Sequence, residues 1–125
     1  MDELYREVLL DHYKNPHNKG IILKPHIHKD DHNPLCGDMI EIFIRLKGER
    51  IENITFEGKG CVISQASASI LTEDLKGKTL KQVQDMTRED LLDLIGLQLT
   101  PTRVKCAMLP LSAIKKGIIE YEMKK

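Results

Sequence analysis

The residues best suited to chemistry in this chain are three cysteines and one aspartate. Cys36 and Asp38 stand two positions apart in "NPLCGD", Cys61 ends the run "GKGC", and Cys106 lies in "RVKCAML". A deprotonated cysteine is both a soft metal ligand and a sulfur nucleophile, so each thiol admits either role. The cysteines are too far apart in sequence to form a CxxC zinc knuckle, so their local settings carry the argument. Cys36 sits in a Pro/Gly turn, and Cys61 follows glycines that let backbone approach a ligand closely. Cys61 precedes one predicted helix start and Cys106 falls in the first turns of another, where the helix dipole favours a thiolate. Lys59, Arg103 and Lys105 add positive charge nearby. Blander readings stand beside these. A free cysteine is often a small core hydrophobe, and Cys106 lies at the edge of an apolar stripe. An aspartate in a turn often bonds its own backbone.

The elements that must position these residues follow from pattern. Residues 2–14 predict a helix with Leu4, Tyr5, Val8, Leu9 and His12 on one stripe, stopped by Asn15-Pro16. Residues 15–35 show no period and predict a long, partly mobile loop. Residues 39–47 alternate, with Ile40, Ile42, Ile44 and Leu46 on one face, and residues 50–57 return with Ile54 and Phe56. The Gly48-Glu49 turn makes this a hairpin, and a short third strand is expected near 61–63. A helix then runs from Ser64 or Gln65 to about Leu75 and ends at Gly77. Thr79 with Gln82, and Thr87 with Asp90, predict capping boxes for two shorter helices, the second ending at Gly96. Thr100-Pro101 opens a last helix with Val104, Met108, Leu111, Ile114, Ile118 and Tyr121 as its stripe. Pro110 lies inside that helix and cannot bond the Cys106 carbonyl, which predicts a bend or loosened turn there. The fold class is therefore α+β: a small three-stranded antiparallel sheet with about five helices mainly on one face.

Bulk properties bound the function. The chain has 125 residues and formal net charge zero, from 19 basic and 19 acidic side chains. That length predicts one domain over residues 1–125. The charge balance argues against nucleic-acid or membrane binding driven by bulk charge, and no apolar run is long enough to span a bilayer. The opening "MDELYREVLL" lacks the features of a signal peptide, and three widely spaced cysteines fit a reducing cytoplasm better than a disulfide framework. His26, His28 and His32 could form a second metal site, but a solvated loop is the simpler reading because nothing rigid fixes their geometry. His12 is expected to be packed and hydrogen-bonded.

Together, "NPLCGD" at 33–38, "GKGCVISQASAS" at 58–69 and "RVKCAML" at 103–109 resemble the U-type iron–sulfur cluster assembly proteins: IscU, SufU and the N-terminal domain of NifU. The resemblance covers nearly the whole chain, including "YREVLLDHYKNPHN" at its start. It implies a compact α+β fold in which Cys36, Asp38, Cys61 and Cys106 hold a 2Fe–2S cluster or a zinc ion. The carboxylate would be the harder, more displaceable ligand among thiolates and would keep the cargo labile. Lys105 and Arg103 would offset the negative charge of the loaded site.

The resemblance further implies two functions. One is a scaffold that receives persulfide sulfur from a cysteine desulfurase, on Cys106 or alternatively Cys61, assembles a cluster with iron and passes it to acceptor apoproteins. The other is a zinc-dependent sulfurtransferase of the SufU kind. Lys105 stands where the IscU branch usually has histidine, which favours SufU. The stretch between Cys61 and Cys106 has no room for the SufU insertion, which favours IscU. "LTPTR" at 99–103 replaces the "LPPVK" segment used by the IscU branch and argues against an Hsp70-type chaperone as partner. A purely structural zinc module is disfavoured by the glycine-flanked, open settings of the thiols.

Overall fold

Alternation of isoleucines builds the centre of the sheet. The computed structural model describes residues 2–34, 37–96 and 98–124, so Cys36 lies outside the described residues. In β2 (Asp38–Lys47), Ile40, Ile42, Ile44 and Leu46 are buried on one face. β3 (Arg50–Lys59) runs antiparallel to it, pairing Ile42 with Phe56 and Ile44 with Ile54. These strands meet the expectation in position and face. A register shift between Arg45 and Leu46 lets Ile51 stand opposite Leu46, where both are buried.

The third strand is not at 61–63. It is β1 (Ile27–Asn33), at the sheet edge in the order β1-β2-β3, within the stretch expected to be a loop. Its sequence "IHKDDHN" carries one apolar residue, so no alternation announces it. Partners supply what its pattern lacks. It pairs with β2 from Ile27–Ile44 to Asn33–Asp38. The face carrying Ile27, Lys29 and Asp31 packs on the last helix, α5 (Pro101–Met123): Lys29 Nζ bonds Glu120 at 2.5 Å, and Asp31 accepts from Ser112 Oγ at 2.9 Å and Lys116 Nζ at 3.0 Å. Gly117 permits this approach, since a Cβ there would lie 2.8 Å from Ile27 Cγ2. The charged composition also suits an edge strand, because it opposes pairing with another chain.

The helices cover the Ile-rich face. α2 (Val62–Leu75) packs on β3, and α5 packs on β1 and β2. Ser67, Ala66, Ala68 and Ser69 of α2 are fully buried, and their small size lets the helix sit close to its neighbours. α3 (Leu80–Gln84) and α4 (Arg88–Ile95) begin with the two expected capping boxes, and Thr100 caps α5. α5 continues as one helical element through the buried Pro110.

α1 (Asp2–Lys14) packs on α2, but of its expected stripe only Leu9 is buried. Polar contacts hold its end instead. His12 Nδ1 and the His17 N–H both bond Ser69 Oγ at 2.7 Å, and Asn18 Nδ2 donates to Thr72 Oγ1 and Glu73 Oε2. The expected bonding of His12 is thus present. Among the described residues, no helix is long and apolar enough to cross a membrane.

Candidate metal centre

β2 begins with Asp38 and β3 ends with Lys59, so the two strand ends and the start of α2 lie at one edge of the sheet. Asp38 is 1% exposed. Its Oδ1 accepts the Cys61 N–H at 2.8 Å, while its Oδ2 faces Cys61 Sγ at 3.3 Å. This approach requires Gly60. Its φ of +133° is one L residues avoid, and a Cβ there would lie 2.1 Å from Asp38 Oδ1. The glycine run before Cys61 thus serves contact with the carboxylate.

Cys61 is the N-cap of α2, and its sulfur accepts the Ser64 N–H at 3.4 Å. Sulfur occupies the place usually filled by a serine or aspartate oxygen. Cys106, one and a half turns into α5, is 1% exposed. Neither Cys61 nor Cys106 is in a disulfide.

One ligand atom from each of Asp38, Cys61 and Cys106 lies within 4.8 Å of the others. This is the one such grouping of histidine, cysteine and carboxylate side chains among the described residues. Three segments distant in sequence therefore converge on a small space. A tetrahedral zinc, with Zn–S near 2.3 Å and Zn–O near 2.0 Å, separates sulfur and oxygen ligands by roughly 3.5 Å. The observed separation of Asp38 Oδ2 and Cys61 Sγ, 3.3 Å, is close to that edge. The donors also fit chemically: soft sulfurs suit zinc or iron–sulfur species, and one hard oxygen accompanies them.

The surroundings differ on the two sides. Next to Cys61 opens a cleft of about 620 Å³, walled by Leu9, Leu10, Val62, Ile63 and Leu99 and carrying Arg6 and Arg103. Lys105 lines a separate cleft of about 310 Å³ with His32, Pro34 and Met108. Arg103 and Lys105 are both exposed; Arg103 shares the first cleft with Cys61, whereas Lys105 lines the second. Lys59 is exposed as well. Among the described residues, His26, His28 and His32 do not gather into one site. His28 Nε2 bonds Glu41 at 2.5 Å and stacks on Phe43, His32 Nε2 bonds Asp30 at 3.2 Å, and His26 Nδ1 accepts the Leu46 N–H. The sequence reading missed Ser64 and Arg6, and its only signal for Ser64 was a serine three residues after the thiol.

Comparison with known proteins places the chain in a family. The family model of the NifU-like N-terminal domain matches residues 4–125. The zinc-dependent sulfurtransferase SufU of Bacillus subtilis is 40% identical, over 98% of this chain and 94% of its own. That alignment spans 139 positions against a chain of 125, so SufU carries residues with no counterpart here. The scaffold protein IscU of Escherichia coli K12, named for iron–sulfur cluster assembly, is 34% identical, over 97% of this chain and 96% of its own. The crystal structure of FiSufU, of the SUF system of Fervidobacterium islandicum AW-1, superposes with a TM-score of 0.75 at 26% identity, covering 90% of this chain and 94% of that one.

Proposed function

The chain belongs to the family of the NifU-like N-terminal domain, and on that premise we propose that it is an iron–sulfur cluster assembly scaffold. The observation that carries the reading is the convergence of Asp38, Cys61 and Cys106 within 4.8 Å. Cys36, two residues from Asp38 in the chain, is the fourth donor in this reading. The three thiolates hold a 2Fe–2S cargo while it is assembled from iron, sulfur delivered as persulfide by a cysteine desulfurase, and two electrons per sulfur from an external reductant that convert it to sulfide. Asp38 Oδ1 is engaged by the Cys61 N–H, which leaves Oδ2 to face the cargo as its hard, exchangeable ligand. Arg103 and Lys105 temper the negative charge of the loaded site. The acceptors are apoproteins that complete their own sites with incoming thiolates.

Of the two candidate persulfide acceptors, Cys61 is half-buried and lines the open cleft, whereas Cys106 is 1% exposed. That difference supports Cys61 as the first thiol an incoming sulfur donor meets. Its thiolate attacks the outer sulfur of the donor's persulfide. A new S–S bond forms at Cys61, and the donor cysteine leaves as thiolate, with no net oxidation.

The 40% identity to a zinc-dependent sulfurtransferase favours a second reading, in which the same residues hold zinc and release one thiolate for that exchange. Zinc has no redox chemistry and would only poise the thiolate. Anaerobic reconstitution with iron, sulfide and reductant tests the choice. A scaffold develops thiolate-to-iron absorption in step with bound iron. A protein that holds no cluster, yet stimulates a desulfurase only when zinc-loaded, is a sulfurtransferase.

A further inference from the structure

Ser64 is fully buried beside the sulfur that caps α2, and two of its groups reach Cys61. Its N–H lies 3.4 Å from Cys61 Sγ. Its Oγ lies 3.8 Å from the same sulfur and 3.2 Å from the Cys61 carbonyl oxygen. We propose that Ser64 is a positioning residue whose N–H and hydroxyl donate to the Cys61 thiolate and set how firmly that sulfur holds its ion. This rests on the metal-centre reading above and assigns a residue outside the four donors to its control.

The hydroxyl is placed for the task. Gln65 is 7% exposed, and its Nε2 donates to Ser64 Oγ at 3.2 Å. That bond occupies a lone pair of the hydroxyl oxygen, so the Ser64 proton is left to be donated. Rotation about Cβ–Oγ aims that proton at the Cys61 carbonyl or at the sulfur. When Cys61 is a thiol, its own proton is directed at Asp38 Oδ2, and the carbonyl is the better acceptor for Ser64. When Cys61 is a thiolate bound to an ion, its remaining lone pairs accept from both Ser64 donors.

The hydroxyl also has local partners, the Cys61 carbonyl and the Gln65 amide, which Ser64→Thr keeps and Ser64→Ala removes. A Cβ at Gly58 would lie 2.5 Å from the Met39 carbonyl oxygen and 3.2 Å from Gln65 Oε1, so the glycine serves strand pairing first and leaves space for the carboxamide as well. Serine therefore brings a donor, held by an amide, to a sulfur. Donors to a ligating sulfur orient it and withdraw electron density from it, and losing such a partner weakens metal binding by about 10- to 100-fold.

The test compares wild type, Ser64→Ala and Ser64→Thr as purified, metal-free protein. Each is titrated with cobalt(II), and with zinc against a chromophoric chelator. Ser64→Ala is expected to weaken zinc binding about tenfold and to move the thiolate-to-cobalt charge-transfer band, with both restored in Ser64→Thr. Should Ser64→Ala not fold, Gln65→Met removes the amide that holds the hydroxyl, and a smaller loss in the same direction is expected. Unchanged affinity and band in the folded variant overturn the role of Ser64 and leave the metal centre standing. Absence of any thiolate-to-cobalt band in wild type overturns the centre, and this inference with it.

Discussion

Asp38 does two things at once, one with each oxygen. Oδ1 satisfies the Cys61 N–H, and Oδ2 faces the sulfur. Asp38→Ala therefore has opposed effects. The metal-free protein loses a buried hydrogen bond and leaves the Cys61 N–H without its acceptor, a cost of about 1–3 kcal/mol, read as a lower midpoint in urea. The loaded protein loses its most exchangeable ligand, so the lifetime of the visible iron–sulfur absorption in the presence of a chelator lengthens. Faster loss from Asp38→Ala contradicts the lability role. Asp38 stood out in the sequence as a candidate donor beside Cys36, and the motif resemblance grouped it with Cys61, but its hydrogen bond to the Cys61 N–H had no signal there. The reason for Gly60 was not legible, since it depends on the position of Asp38, 22 residues earlier in the chain. Ser64 was hidden for a similar cause: the sequence placed a helix start near Cys61 but did not reveal that sulfur would be its cap.

Among the elements, helices were read well where local chemistry decides them. Thr79 with Gln82, Thr87 with Asp90 and Thr100-Pro101 mark helix starts by side chains that bond the adjacent backbone, and all three stand as expected. β1 was missed because pairing with β2 and contact with α5 hold it, rather than any pattern of its own. The stripe of α1 misled for the converse reason. Its apolar residues alternate correctly for a helix, yet Leu4 and Val8 remain exposed and the polar contacts around Ser69 fix its end. There Ser69 Oγ accepts the His17 N–H and shares a 2.7 Å hydrogen bond with His12 Nδ1. Burial first, and then the nearby His17, hold His12 below the usual histidine range, while Asp11 and Glu73 act the other way. A base with a depressed folded pKa contributes stability that is present above its unfolded value, near 6.5, and is lost as pH falls through its lower folded value. The protein is therefore expected to melt at a lower temperature at pH 5.5 than at pH 7.5, and His12→Gln should reduce the difference. An undiminished difference in His12→Gln would place the pH dependence elsewhere.

At the scale of the molecule, one end of a small sheet gathers what the chain distributes. A strand start gives the carboxylate, a helix cap gives one sulfur, and the first turns of a long helix give another. A formal net charge of zero leaves the local charges Arg6, Arg103 and Lys105 to act around that end without a bulk field. The exposed Leu4 and Val8, together with Leu10 in the cleft wall, add apolar surface on the neighbouring helix. X-ray absorption at the iron edge of the reconstituted protein tests whether these separate segments share one ion or cluster. A ligand shell dominated by sulfur with a minor oxygen contribution is expected, with loss of the sulfur signal when Cys61 and Cys106 are both replaced by alanine. A shell of nitrogen and oxygen alone, or one unchanged by that double replacement, would contradict it.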